Sequence, residues 1–219
     1  MMKKLILFDF DYTLGDSTEG ILKSTYYAME KLGYQRPERE AVRKTIGLTL
    51  ENSFLQLEPE GTIQESQQYR DYFAEKADEV IVESTFLYDG VLEVLENLKQ
   101  TGYFVGVVTT KYRYRIEDIF KKFHGEKLLD FIVGGDCVKE KKPAPEGIYL
   151  ALEHFHCDKE QVLYVGDSLV DANTAKNAGV DFAAVLTGTT TKQEFMELPN
   201  VLIGETVLDV YRYIKDTNK

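Results

Sequence analysis

Four aspartates dominate the chemistry open to this sequence. Asp9 and Asp11 close the stretch LILFDFD, and Asp167 and Asp171 lie in GDSLVDANTAKNAG. Two residues apart in an extended chain, Asp9 and Asp11 point to the same side. Carboxylates held that close repel, and one tends to keep its proton unless a cation sits beside them. An isolated pair of this kind also fits an acidic strand end or a helix N-cap. A calcium-binding EF-hand is excluded, because counting from Asp9 puts Leu14 where Gly is needed and Gly20 where Glu is needed. No His or Cys stands near the four aspartates in the sequence, and a hard all-oxygen set favours Mg²⁺ over zinc or copper. Mg²⁺ commonly shares its site with a phosphate, which bare carboxylates would repel, so a further cation is required. Lys142, in KEKKPAPEG, meets that need: Pro143 and Pro145 fix φ and stiffen its loop. Lys139 and Lys141 read as solvated charges. The sequence has no GxxxxGK[ST], which excludes a nucleotide-binding P-loop.

These residues need elements that converge. The apolar run Leu5–Phe8 reads as a short buried strand. From residue 88 strands and helices alternate: VLEVLENLKQTG is a helix stopped at Gly102, YFVGVVTT a strand, YRIEDIFKKF a helix, FIVGG a strand and PEGIYLALEHF a helix. QVLYVGDS is then a strand, LVDANTAKNAG a helix ending at Gly179, DFAAVLTG and NVLIGE strands, and TVLDVYRYIKD the last helix. This alternation implies an α/β fold, a parallel sheet with helices on both faces. Ligands bind outside the carboxyl ends of such strands. Those ends deliver Asp9 and Asp11, Thr109 and Thr110, and Gly166, Asp167 and Ser168 to one edge. Residues 17–84 have helical spacing throughout, with Pro37 as a helix-start residue, and read as an all-helical insertion into a core of 1–16 and 85–219.

Composition narrows the class. The 219 residues, 43% hydrophobic, suffice for one core with a smaller insertion. A formal net charge of −11 argues against nucleic-acid partners and anionic membrane surfaces. Two cysteines, Cys137 and Cys157, make no disulfide framework, and the N-terminal apolar run is too short for a signal peptide. No stretch reaches the roughly 18 apolar residues of a membrane span. A cytoplasmic protein, monomeric or homodimeric, is expected. His124, His154 and His156 lie in or beside predicted helices and read as surface or packing residues.

DFDYT, VVTTK, KPAP and GDSLVDANTAKNAG, in that order, resemble the four motifs of the haloacid dehalogenase-like superfamily over Leu5 to about Gly188. The closer resemblance is to its phosphoglycolate phosphatase-like members, through GDS, TIGLTLENSF and TTK. The resemblance implies a Rossmann-like core with a helical cap, and a Mg²⁺-dependent phosphatase acting on a small phosphorylated metabolite. It implies Asp9 as a nucleophile forming an aspartyl-phosphate and Asp11 as acid and then base. Thr109 would bind phosphoryl oxygens, and Lys142 would neutralise Asp9 and the phosphate. Asp9, the Asp11 backbone and Asp167 would hold Mg²⁺, with Asp171 behind them or bound through water. Tyr12, Thr110 and Lys111 are expected to contact substrate, and Tyr26, Arg43 and Lys44 are nominated for specificity within the insertion.

Two departures stand out: Tyr12 replaces the usual Gly after the second Asp, and Asp89 replaces a frequent Pro. Either the Tyr12 ring narrows the pocket or the turn tolerates it. β-Phosphoglucomutase shares all four motifs, but Ile21 and Leu50 stand where its His and Arg are expected. A non-catalytic module on the same fold is the alternative from another class; such modules tend to lose the nucleophile, the lysine or a metal carboxylate.

Overall fold

The computed structural model describes residues 3–217 and forms two compact units, Met1–Asp16 with Leu87–Lys219, and Ser17–Phe86. The sequence reading closed the insertion at residue 84, and the helical unit runs two residues further.

In the first unit, β1 (Leu5–Phe8) is fully buried, as four consecutive apolar residues require when both faces of a sheet are covered. β2 (Gly15–Asp16) and β3 (Phe86–Leu87) are two-residue strands outside the main sheet, too short to leave a periodicity in the sequence. The remaining core strands are β4 (Phe104–Val108), β5 (Phe131–Val133), β6 (Val162–Gly166), β7 (Asp181–Val185) and β8 (Leu202–Gly204). They form one six-stranded sheet in the order β5-β4-β1-β6-β7-β8, with all five neighbouring pairs parallel among the described residues. This is the Rossmann-like α/β sheet the alternation implies. The strands end earlier than the sequence reading placed them. β5 stops at Val133, so Gly134 and Gly135 turn away, and β7 stops at Val185, before Gly188.

Four helices of the helical unit come first in chain order: α1 (Thr18–Lys31), α2 (Arg39–Arg43), α3 (Leu50–Leu57) and α4 (Ile63–Ser84). Pro37 lies outside α2, whose N-cap position is Glu38, so the helix starts later than Pro37 suggested. Thr62 and Glu65 close a reciprocal capping box at the start of α4. Ala28, Met29, Phe54, Tyr69, Phe73, Ala77 and Ile81 form the core of this unit. Ile21 and Leu50 pack against it as apolar contacts. Tyr26, Arg43 and Lys44 all belong to this unit: Tyr26 lies under the Arg36 guanidinium at 5.5 Å, and Arg43 pairs with Glu40 at 3.0 Å.

The core helices are α5 (Val91–Gln100), α6 (Arg113–Lys122), α7 (Glu146–Phe155), α8 (Leu169–Ala178), α9 (Lys192–Phe195) and α10 (Val207–Thr217). α5 and α10 pack together and touch β4, β7 and β8, and α7 and α8 pack together and touch β4, β5, β6 and β7. Gly102 (φ 90°) and Gly179 (φ 74°) end α5 and α8 in the left-handed region, as a helix stop demands. Among the described residues, no helix is long and apolar enough to cross a membrane.

The strand order reverses direction at β1. The chain reaches β4 on one side and β6 on the other, and the crevice between the two crossovers lies above the carboxyl end of β1. That is where the acidic residues emerge.

Candidate active site

Register brings the strand ends level. Phe8 pairs with Val107 on one side and Val165 on the other, and the Asp9 amide donates to the Val165 carbonyl at 2.8 Å. Asp9 therefore leaves β1 within one residue of the height at which Thr109 and Asp167 leave the strands on either side. Asp9, Asp167 and Asp171 each offer an oxygen within 4.8 Å of the others, and all three are buried.

Burial of so much negative charge needs compensation, and Lys142 supplies it. Its ammonium stands 2.6 Å from Asp171 Oδ1 and 3.0 Å from Asp9 Oδ1, with its side chain 4% exposed. Burial pulls this ammonium down, but the charges of Asp171 and Asp9 outweigh burial and leave it above the ordinary lysine range. Asp9 responds in the opposite sense. Burial raises its carboxyl to about 6, Lys142 opposes this, Asp171 and Asp11 add to it, and a hydrogen bond from the Thr109 side chain lowers it. Burial, then Asp171 and Asp9, push Asp167 well above the usual carboxylate range.

Asp9 Oδ1 and Asp11 Oδ1 are buried and have no hydrogen-bond partner among the described residues. Buried orphan acceptors are costly, and two of them at the end of one strand fit a cation or an incoming donor.

Asp171 behaves differently from the other carboxylates. Lys142 and Tyr164 take its Oδ1, and the Ser168 backbone and hydroxyl take its Oδ2 at 3.1 and 2.5 Å. It caps α8 and anchors Lys142, and both of its oxygens are engaged. Lys111, expected to contact substrate, lies 3.0 Å from Asp11 Oδ2 and 5.8 Å over the Phe10 ring, its side chain 6% exposed. Tyr12 takes up φ 59° in the left-handed region and is 3% exposed. The turn keeps the geometry for which glycine is usual, at a cost of roughly 1–2 kcal/mol. Thr110 sits in the loop after β4, between Thr109 and Lys111. The histidines lie elsewhere: His124 follows α6, His154 stacks on Phe131 at 4.3 Å, and His156 ends α7.

Several residues of the site escape a reading by motif. Thr13 donates to Asp167 Oδ1 at 3.1 Å. Gly188 passes so close that an added Cβ would lie 1.9 Å from Asp167 Oδ2, and at Gly135 it would lie 2.4 Å from the Thr110 carbonyl oxygen. Glycine after a strand end was the available signal for both.

The comparisons with known proteins agree with this geometry. The haloacid dehalogenase-like hydrolase family model matches residues 6–185. Pyrophosphatase PpaX of Bacillus velezensis is 36% identical over 180 residues, covering 82% of each chain. Among solved structures, a haloacid dehalogenase-like hydrolase from Bacteroides fragilis superposes with a TM-score of 0.92 at 38% identity, covering 95% of this chain and 99% of that one. A predicted phosphoglycolate phosphatase from Haemophilus somnus gives 0.87 at 25% identity, covering 97% and 98%. With the motifs converging on one crevice and relatives of this kind over most of its length, the chain belongs to the haloacid dehalogenase-like hydrolase family and is an enzyme of the phosphatase class.

Proposed function

We propose that this enzyme hydrolyses a small phosphorylated metabolite through a covalent phosphate on Asp9, with Mg²⁺ as its metal. The observation that carries the reading is the Asp9 carboxylate: buried, unpartnered at Oδ1, and faced by an ammonium at 3.0 Å. An Asp9 oxygen forms a bond to phosphorus while the bond to the leaving oxygen breaks, and Asp11 gives that oxygen its proton. Asp11 then takes a proton from water, whose oxygen bonds to phosphorus as the Asp9–phosphorus bond breaks. Inorganic phosphate leaves and both carboxyl groups are restored. Thr109 donates to a phosphoryl oxygen, and Lys142 holds charge that accumulates on the equatorial oxygens.

The residues fit a hard divalent cation. The donors are all oxygen, and one of them, Asp9 Oδ1, is buried without a hydrogen-bond partner among the described residues. Asp9 and Asp167 side chains with the Asp11 backbone carbonyl would hold the ion, whereas Asp171 already has its oxygens engaged. Held there, the ion would supply positive charge that lets an anionic substrate approach these anionic side chains. The helical unit, read as the superfamily's cap, would select the substrate. Phosphoglycolate and pyrophosphate head the candidates, because relatives and structural neighbours bear those names.

The test is phosphate release from a panel of phosphometabolites, pyrophosphate included, with p-nitrophenyl phosphate as a reference. Asp9→Asn should abolish turnover of every substrate. Asp11→Asn should slow alkyl phosphates about 10²–10⁴-fold. With p-nitrophenyl phosphate, whose leaving group needs no proton, Asp11→Asn should instead accumulate a phosphate adduct, seen by intact mass after acid quench. Turnover by Asp9→Asn, or an adduct on another residue, overturns the nucleophile assignment.

A further inference from the structure

Lys142 can serve Asp9 and a phosphate only if its ammonium is held at one height, and two buried groups, Asp171 and Tyr164, take hydrogen bonds from it. The residue beneath it is Tyr164, in the middle of β6 and fully buried. Its ring lies in the apolar layer with Val108, Val133, Ile148, Ala172 and Phe182. Its hydroxyl emerges at the floor of the site and meets three groups from three segments. The Lys142 ammonium donates to it at 3.0 Å; Asp171 Oδ1 lies 2.9 Å away and the Val108 carbonyl 2.8 Å away.

Counting protons shows what this does. An ammonium has three N–H donors. One goes to Asp171 at 2.6 Å and one to Tyr164 at 3.0 Å, which leaves one for the Asp9 side of the crevice. A phenol has one proton and two lone pairs, so Tyr164 accepts from Lys142 and donates to Asp171 or to Val108. With Phe in its place, a Lys142 donor and the Val108 carbonyl would lose a partner at a buried point. Burial, with Asp171 and Asp9 nearby, keeps this hydroxyl protonated.

We infer that Tyr164 is a positioning residue for the phosphatase reaction, whose hydroxyl fixes Lys142 and Asp171 in the arrangement that leaves one ammonium proton aimed at the Asp9 side. The inference rests on the proposed reaction at Asp9. It concerns a strand residue that the sequence motifs treat as one more apolar filler.

The test is Tyr164→Phe, which keeps the ring and removes the hydroxyl. With p-nitrophenyl phosphate, kcat should fall about 10–100-fold, the range for partners that orient a reacting group, with KM little changed. Folding is checked by circular dichroism and melting. The decisive readout is a double-mutant cycle. In a Lys142→Met background, followed by single turnover, adding Tyr164→Phe should slow the reaction little further, because the group it positions is gone. A filler residue would impose the same loss in both backgrounds, and that result overturns the inference, as does an unchanged kcat in Tyr164→Phe alone. Wild-type protein that releases no phosphate would instead overturn the reading at Asp9, so the two failures are distinct. Should Tyr164→Phe not fold, wild-type protein labelled with ¹⁵N-lysine provides the answer. It should show a slowly exchanging ammonium resonance, absent in Lys142→Met, with a cross-peak to the Tyr164 ring; a missing cross-peak overturns the inference.

Discussion

A carboxyl group raised to about 6 inside a folded protein makes a statement about stability as well as chemistry. Asp9 has an ordinary value of 3.8, and burial is the largest cause of its rise, ahead of the opposing charge of Lys142. The folded protein therefore binds this proton more tightly than the unfolded chain. Between about 3.8 and about 6 the native state carries more protons, so the Asp9 contribution to stability is full below that window and lost as pH rises through it. Asp167 shifts in the same direction. A divalent cation held by these carboxylates would reverse the balance, because it would bind their ionised forms and its affinity would rise with their deprotonation. Chelator-treated protein should gain stability from Mg²⁺, and the gain should be larger at pH 7.5 than at pH 5. With the ion at about a hundred times its Kd the expected rise in Tm is ~5–10 °C at the higher pH. Equal shifts at the two pH values, or none, would mean that these carboxylates do not hold the ion.

At the scale of the element, the site depends on how closely backbones approach. Gly135 follows β5 and lies against the loop that carries Thr109, Thr110 and Lys111; its own amide donates to the Lys111 carbonyl at 3.0 Å. A methyl group there would meet the Thr110 carbonyl oxygen at 2.4 Å, and backbone cannot rotate away as a side chain can. Gly135→Ala should cost about 1–3 kcal/mol, as overpacking does, and should lower kcat/KM by displacing the Thr109 hydroxyl. Melting and steady-state kinetics on the same preparation check both. A stable variant with normal kcat/KM would show that Gly135 does not set the loop.

What was legible in the sequence follows the same division. The strands carrying Asp9, Thr109 and Asp167 announce themselves as apolar runs ending in polar residues, because a strand covered on both faces leaves no other pattern. Gly102 and Gly179 mark helix ends because few other residues accept their φ. The two-residue strands and the four-residue α9 leave no period to read, although Thr191 and Glu194 form a capping box at the latter. Partnerships within the site were hidden for another reason. Asp171 gripping Lys142, and Lys111 beside Asp11, join residues 29 and 100 positions apart, which only the assembled sheet brings together. Tyr164 was hidden more deeply, since a tyrosine in an apolar strand reads as core until its hydroxyl has partners.

At the scale of the whole molecule, each of the two units has apolar packing of its own. The helical unit has an apolar centre around Phe54, Tyr69 and Phe73, and the sheet unit includes one around Tyr164 and Phe182. All the proposed catalytic side chains, from Asp9 to Asp171, belong to the unit built on the sheet. Within that unit the chain leaves and returns at nearly one point, for the Tyr88 amide donates to the Leu14 carbonyl at 3.1 Å. Replacing Ser17–Phe86 by a short Gly/Ser linker therefore closes a small gap, and loop closure over so short a span costs little entropy. The resulting protein should fold, with the far-ultraviolet signature of an α/β sheet, and should still hydrolyse p-nitrophenyl phosphate in the presence of Mg²⁺. If the helical unit selects substrate and excludes water, the shortened protein should lose most of its preference among small phosphometabolites, with kcat/KM values drawn together across the panel. Asp9→Asn in the shortened protein should again abolish turnover, which ties residual activity to the same site. A folded, Mg²⁺-responsive protein that keeps the full-length ranking of substrates would place specificity in the sheet unit and remove that role from the helices.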